Sequence, residues 1–210
     1  MEQALARIHW LGHDAYRIIG DQDQVIYIDP FQLNGGEVAD LILVTHTHYD
    51  HFSPEDIAKI RGARTIVVGP PDCVEKLEGE TKAVRPGDKI TVLGVELEVV
   101  PAYNTNKKFH PKEKNWVGYV LTVAGQRIYH TGDTDRIPEM QTIRTDIALL
   151  PVSGTYVMTA EEAADAALDL KAKVVIPMHY GAGVVGTVDD AHRLKELLAG
   201  KVRVEIKEQE

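Results

Sequence analysis

The strongest chemical signal in the sequence is residues 45–51, which read Thr-His-Thr-His-Tyr-Asp-His. This heptad places His46, His48, Asp50 and His51 directly after a run of four apolar residues. Neutral imidazole and carboxylate are the groups that bind Zn²⁺, Mn²⁺, Fe²⁺ and similar ions in proteins. Four such side chains on a tight turn at a strand end can reach two metal ions at once. The heptad therefore indicates a metal site; the alternative is a solvated loop that is merely rich in histidine.

Three further candidate ligands follow the heptad along the chain. His110 lies in a polar loop, and Asp133 and His179 each come a few residues after a predicted strand. Strand ends gathered at one edge of a sheet can converge on a single point, and loops held by a rigid scaffold are where catalytic residues usually lie. We therefore expect these side chains to join the heptad around the metal.

The chemistry expected of such a site is hydrolysis. Two divalent ions roughly 3.5–4 Å apart can share a carboxylate and a water, and they lower the pKa of that water to about 7. Asp50 is a candidate catalytic residue that orients the nucleophile or accepts its proton, because a carboxylate beside a cation stays ionised. Tyr103, Tyr156 and Tyr180 are candidates for protonating the leaving group, and the sequence does not rank them.

Apolar runs bounded by turn residues predict the elements that position these side chains. The predicted strands are 7–10, 15–19, 25–28, 41–44, 65–68, 89–93, 95–100, 117–123, 127–129, 147–152, 174–176 and 202–206. Helices are predicted over 54–62, 72–77, 160–170 and 189–198. Ser53 with Asp56, and Thr159 with Glu162, have the spacing of capping boxes. This order predicts an α+β fold in which two sheets pack face to face with helices outside.

Length and composition narrow the possible functions. A chain of 210 residues with a formal net charge of −9 suits one domain over residues 1–210 and argues against a nucleic-acid partner. A single cysteine and the lack of an apolar leader or long apolar run indicate a cytoplasmic protein with no membrane segment. The one basic cluster, Lys107, Lys108, Lys112 and Lys114, suggests contact with an anionic small-molecule substrate. A homo-oligomer is compatible with the sequence.

The sequence resembles the metallo-β-lactamase fold superfamily of metal-dependent hydrolases over essentially its whole length. The matching segments are the heptad, Gly132-Asp133-Thr134, Pro177-Met-His-Tyr180 and Asp29 in Tyr-Ile-Asp-Pro. The segment Trp10-Leu-Gly-His13 resembles the branch that includes the ascorbate-phosphate lactonase-like proteins. The resemblance implies a four-layer αββα sandwich with the site at one edge, between the sheets.

The resemblance also implies a set of ligands. His46 and His48 match ligands of a first metal, Asp50, His51 and His179 match ligands of a second, and Asp133 matches the carboxylate that bridges both. One position departs from the family pattern, because Asn104 stands where a third histidine of the first site is expected. His110 is the candidate that fills this place, and His13, a candidate catalytic residue, is the other. Asp29 is expected to orient a ligand imidazole, as carboxylates behind metal-bound histidines do.

These observations lead to one main hypothesis. The protein is expected to be a metal-dependent hydrolase that cleaves a small, anionic phosphodiester or lactone-type substrate with one or two divalent ions. Zn²⁺ is the first choice of metal, with Mn²⁺, Ni²⁺ and Fe²⁺ as alternatives. The alternative function is a non-catalytic or weakly active metal-binding protein of the same fold, for which Asn104 is the one supporting feature. A di-iron redox protein is disfavoured by His48, because redox relatives carry Glu at that position.

Overall fold

In the computed structural model, which describes all 210 residues, thirteen strands form two sheets. The first sheet has the order β1-β2-β3-β4-β5-β6. Its strands are β1 (Ile8–Gly12), β2 (Ala15–Ile19), β3 (Val25–Ile28), β4 (Ala39–Leu43), β5 (Arg61–Gly69) and β6 (Thr81–Ala83). Strands β1 to β3 are antiparallel, and β3 to β6 are parallel. The carboxyl ends of β3 and β4 therefore lie at the same edge.

The second sheet has the order β13-β12-β11-β10-β9-β8-β7. Its strands are β7 (Lys89–Val92), β8 (Val95–Pro101), β9 (Val117–Val123), β10 (Gln126–His130), β11 (Ile147–Pro151), β12 (Val174–Met178) and β13 (Arg203–Val204). Strands β7 to β10 are antiparallel hairpins, and β10 to β13 are parallel. The ends of β10, β11 and β12 consequently share one edge as well.

Five α-helices complete the fold: α1 (Glu2–Leu5), α2 (Pro54–Ile60), α3 (Pro71–Val74), α4 (Ala160–Asp169) and α5 (Val188–Leu197). Alternate residues of the first sheet divide between two cores. Ile26, Ile28 and Leu41 belong to the large core between the sheets, whereas Tyr27 and Ile42 pack in a smaller core with α2 and α3. Alanines of α4 and residues of α5 join the large core from the other side. These layers confirm the predicted α+β sandwich.

The predicted elements are confirmed with shifts at their ends, and a few details were wrong. Strand β5 begins at Arg61, directly after α2, rather than at residue 65, and β6 and α1 were not predicted. Thr159 and Glu162 form the predicted capping box. Asp56 does not complete one, because its carboxylate instead accepts from the backbone N–H groups of Gln32 and Leu33. The longest α-helices have ten residues, and none could span a membrane.

Candidate metal centre

The heptad is held in place by a carboxylate that precedes it in the chain. Asp29 follows β3 with a left-handed backbone (φ 46°) and is fully buried. Its Oδ1 accepts from the Thr45 backbone N–H at 2.8 Å, and its Oδ2 lies 2.8 Å from Nδ1 of His51. Asp29 therefore fixes both ends of the heptad and leaves Nε2 of His51 directed away from it, as expected of a residue that orients an imidazole.

The first donor group consists of His46, His48, His110 and Asp133, whose ligand atoms all lie within 4.8 Å of one another. Nε2 of His46 and Nε2 of His110 lie 3.0 and 3.1 Å from Nδ1 of His48. Nε2 of His110 also lies 3.1 Å from Oδ2 of Asp133. Three imidazole nitrogens and a carboxylate oxygen thus face a common point.

The second donor group consists of His13, Asp50, His51 and His179, again within 4.8 Å of one another. Nε2 of His13 lies 3.0 Å from Oδ2 of Asp50. His13 and His179 both have left-handed backbone (φ 53° and 66°), and the N–H of His179 donates to the carbonyl of His13 at 3.2 Å. Strained backbone of this kind costs free energy and concentrates at functional sites.

Asp133 connects the two groups. Its Oδ2 lies 3.1 Å from His110 of the first group and 3.2 Å from His179 of the second, while its Oδ1 lies 3.3 Å from Nε2 of His51. The turn that carries it passes close to the heptad, because Gly132 (φ 61°) leaves no room for a side chain: a Cβ there would lie 3.0 Å from Cβ of Thr45 and 2.8 Å from the carbonyl oxygen of Val117. The carboxylate of Asp133 therefore contacts residues of both donor groups.

The structure also shows where Asn104 and the two candidate histidines lie. His110 joins the first group and His13 the second. Asn104 does not belong to either group, and its Oδ1 instead accepts from the backbone N–H of His110 at 2.9 Å and lies 3.2 Å from Nδ1 of the same residue. The side chain at position 104 therefore orients an imidazole supplied six residues later.

Three residues next to the site were not identified as functional from the sequence. Trp116 is buried directly before β9, and its ring centroid lies 4.9–5.7 Å from those of His46, His48 and His110 in tilted or edge-on contacts. Ser153 Oγ, after β11, lies 2.7 Å from Nδ1 of His179. Asp14 is fully buried, with no hydrogen-bond partner on either oxygen.

The remaining histidines stay outside the donor groups. Nε2 of His130 lies 2.9 Å from the carbonyl of Asp14, and its Nδ1 accepts from the N–H of Gly132, so this residue supports the turn before Asp133. His9 pairs with Glu210 at the surface, and His192 is exposed on α5. None of these three histidines belongs to either donor group.

The pKa shifts differ between the two donor groups: those of His46 and His48 are lowered, whereas Asp133 outweighs burial and raises the pKa of His51 and of His179. Burial lowers the pKa of His46 well below its usual value, and burial and His110 lower the pKa of His48. Burial opposes ionisation of Asp133 and Asp50, but neighbouring imidazoles outweigh it. His179 and His51 hold the pKa of Asp133 well below its usual value, and a hydrogen bond to His13 lowers the pKa of Asp50 to about 2.

The donor set fits divalent metal ions. Nε2 of His51 and Oδ1 of Asp133 are buried without a hydrogen-bond partner, and a buried polar atom of this kind is costly unless something binds it. Burial raises the pKa of Asp14 to about 7 although His179, His13 and His51 oppose the shift, so a further positive charge nearby would stabilise its ionised form. Imidazole and carboxylate together suit zinc-like ions. A cation between these atoms would satisfy all of them.

Comparison with known proteins agrees with the fold and the donor set. The family described as "Beta-lactamase superfamily domain" matches residues 7–179, which contain every residue of the two donor groups. The chain belongs to this superfamily. The resemblance stated from the heptad and the later motifs is thereby confirmed at the level of the superfamily.

Superfamily members of known sequence cover nearly the whole chain. A protein from Thermococcus onnurineus named "UPF0173 metal-dependent hydrolase" is 34% identical over 95% of this chain and 95% of its own length. A protein of the same family name from Thermoplasma volcanium is 35% identical over 92% of this chain and 91% of its own. The chain is thus a member of a family of metal-dependent hydrolases.

Solved structures of the superfamily have the same architecture. A candidate metal-dependent hydrolase from Parabacteroides distasonis superposes with a TM-score of 0.84 at 34% identity, covering 97% of this chain and 93% of that one. A metallo hydrolase from Ignicoccus hospitalis superposes with a TM-score of 0.75 at 24% identity, over 96% of this chain and 94% of that one. The second similarity concerns the fold alone.

A cavity of about 270 Å³ opens onto the metal centre of this superfamily member. Its lining is His48, Tyr49, Asp50, Phe109, Asp133, Tyr156 and Val184. The polar lining residues all belong to the donor groups, and the others are aromatic or aliphatic. Of the tyrosines considered for proton transfer, Tyr156 lines the cavity, while the hydroxyl of Tyr103 donates to Glu139.

The basic cluster does not line this cavity, so the expected contact with an anionic substrate stays a prediction. Lys107 Nζ lies 2.7 Å from Oδ1 of the buried Asp135, and Lys112 Nζ lies 3.0 Å from Oε1 of Glu139. Lys114 lies 5.8 Å from the ring centroid of Trp116. Pairing with nearby carboxylates commits two of these lysines to the structure of their own loop.

Proposed function

We propose that the protein is a two-metal hydrolase that cleaves a phosphodiester or lactone-type bond of a small molecule. The observation that carries the proposal is the position of Asp133, which contacts His110 of one donor group and His179 of the other at 3.1 and 3.2 Å. His46, His48 and His110 would hold one ion, and Asp50, His51 and His179 the other, with Asp133 shared between them. A pair of divalent ions supplies Lewis acidity and a water whose pKa is about 7.

The residues of the chain would position the reacting groups. Asp50 lines the cavity and, with a pKa of about 2, is a hydrogen-bond acceptor at neutral pH. Nε2 of His13, which is fully buried, lies 3.0 Å from Oδ2 of Asp50 and holds this carboxylate in position. We therefore assign Asp50 to orienting the nucleophile and His13 to orienting Asp50. Tyr156 is the tyrosine placed to donate a proton to a leaving group in the cavity.

The alternative of a non-catalytic metal protein loses its supporting feature. Asn104 suggested an incomplete first site, yet its side chain fixes His110, which supplies the third imidazole of that group. A cavity that reaches Asp50 and Asp133 also gives a small molecule access to the centre. Both observations support turnover rather than metal storage alone.

The proposal is tested by metal content and hydrolysis in matched variants. Purified protein should contain up to two divalent ions per chain and hydrolyse members of a phosphodiester and lactone panel supplied with Zn²⁺, Mn²⁺ or Ni²⁺. His48→Ala and Asp133→Ala should lose metal and activity together, while His192→Ala, a change at an exposed histidine, should match the unsubstituted protein. Full activity in both His48→Ala and Asp133→Ala would refute the proposal.

A further inference from the structure

The walls of the cavity above the metal centre are apolar and aromatic. Tyr49, Phe109, Tyr156 and Val184 form the part of the lining that lies outside the donor groups. The rings of Phe109 and Tyr156 meet edge to face with centroids 4.7 Å apart. Tyr49 is 67% exposed and Phe109 is 39% exposed, so two large aromatic side chains are in contact with solvent at the mouth of the cavity. Exposed apolar clusters beside a cavity are typical of ligand-binding surfaces.

The same cavity offers no cationic side chain to a substrate. No lysine or arginine is among its lining residues, and two of its polar residues are the carboxylates Asp50 and Asp133. Nζ of Lys107, two residues before Phe109, lies 2.7 Å from Oδ1 of Asp135 and 3.6 Å from Oε2 of Glu162. Sites that recognise a phosphate or carboxylate away from the reacting bond use Arg or Lys for the purpose. An anionic substituent would therefore meet carboxylates and aromatic rings.

Part of this apolar wall is attached rigidly to the metal centre. Oδ1 of Asn104 accepts from the backbone N–H of Phe109 at 3.1 Å as well as from that of His110 at 2.9 Å. One buried amide thus sets the position of a candidate ligand and of the aromatic ring next to it. A substrate substituent that packs on Phe109 would therefore hold the reacting bond at a fixed distance from the metal centre. In this way the free energy of binding the substituent can be used to orient the reacting bond.

From these contacts we infer that the substrate is an uncharged carboxylic ester or lactone that carries an aromatic or branched aliphatic substituent. The inference rests on the proposed hydrolase function and narrows it, because it replaces the anionic substrate suggested by the lysine cluster. The substituent packs against Phe109, Tyr156, Tyr49 and Val184. In the reaction, water adds to the carbonyl carbon, the bond from that carbon to the ester oxygen breaks, and that oxygen takes up a proton; an ester gives an acid and an alcohol, and a lactone gives one hydroxy acid.

The test compares three lactones of the same ring size on the metal-loaded protein: unsubstituted, carrying a phenyl group, and carrying a carboxylate. We expect kcat/KM for the phenyl lactone to exceed that of the unsubstituted lactone by about 10- to 100-fold, as for an apolar group entering an apolar site. The carboxylate lactone and bis-p-nitrophenyl phosphate should be the poorer substrates. Phe109→Ala should reduce the phenyl preference by about tenfold, whereas the neighbouring change Lys108→Ala should leave it unaltered.

Binding of the corresponding lactams, which are not hydrolysed, gives a readout independent of turnover. The phenyl lactam should bind more tightly than the other two by calorimetry, and Phe109→Ala should remove the difference. Preference for the anionic compound in either assay, or a phenyl preference unaffected by Phe109→Ala, would overturn the inference. Absence of turnover with retained lactam preference would refute the hydrolase function alone, so the two failures are distinguishable.

Discussion

Replacing Asn104 with alanine should damage the first donor group without touching a proposed ligand. The substitution removes the acceptor of the Phe109 and His110 N–H groups and the donor to Tyr156 O (2.9 Å) and Asp135 Oδ1 (3.1 Å). A buried N–H left unsatisfied costs about 1–3 kcal/mol, so two of them cost about 2–6 kcal/mol, less any compensation by water. The backbone bond from Asn104 N to His110 O, 2.7 Å, remains and keeps the loop closed.

The expected result is a folded protein with a weakened metal site. A loss of about 3 kcal/mol in the free energy of unfolding corresponds to a fall in Tm of roughly 2–4 °C per kcal/mol for a chain of this size. Asn104→Ala should therefore lower Tm by about 6–12 °C in a calorimetric scan. Loss of a group that orients a ligand imidazole lowers metal affinity by about 10–100-fold. Asn106→Ala, which removes a contact with Glu162 at the surface of the same loop, is the control and should change little. Unaltered affinity and stoichiometry in Asn104→Ala would refute the role given to this amide.

Three further predictions concern the surroundings of the centre. Asp29→Ala should lower metal affinity about 10–100-fold by titration calorimetry, because His51 Nδ1 and Thr45 N lose their partner; an unchanged affinity would contradict this. Asp14→Asn should raise the Tm of the metal-free protein, because it removes a buried carboxylate that has no hydrogen-bond partner, and a lower Tm in chelator would show that the nearby imidazoles compensate for its burial. Chelation of the unsubstituted protein should lower Tm by about 5–11 °C relative to metal at 100 times its Kd, equivalent to about 2.7 kcal/mol; no shift would show that the centre is not a metal site under these conditions.

Local patterns in the sequence were sufficient to predict two sheets packed face to face and the candidate ligands, whereas the four-layer sandwich and the division of the ligands between two metals were implied by the resemblance to the superfamily. An apolar run shortly before each of Asp29, the heptad, Asp133 and His179 predicts a strand. The candidate functional residues follow that strand in the same short stretch of chain. Parallel pairing then brings those ends to one edge. Strand β6 was missed because its three residues, Thr81–Ala83, are polar or small and are not buried.

Contacts between distant segments were beyond what the sequence could give. Whether His110 or His13 completes the first group depends on the path of the 104–115 loop, which is set by Asn104 and by Asp135 on another strand connection. The burial of Asp14, and the ion pairs that keep Lys107 out of the cavity, likewise depend on residues far along the chain. The spacing of residues in the sequence does not indicate which of these distant side chains contact one another.

The most direct test of the two-group metal centre is a crystal of the protein grown with Mn²⁺ or Zn²⁺ and measured near the absorption edge of the metal. Two anomalous peaks about 3.5–4 Å apart are expected, one beside His46, His48 and His110 and the other beside Asp50, His51 and His179, with Asp133 between them. A single peak, or peaks away from Asp133, would contradict it.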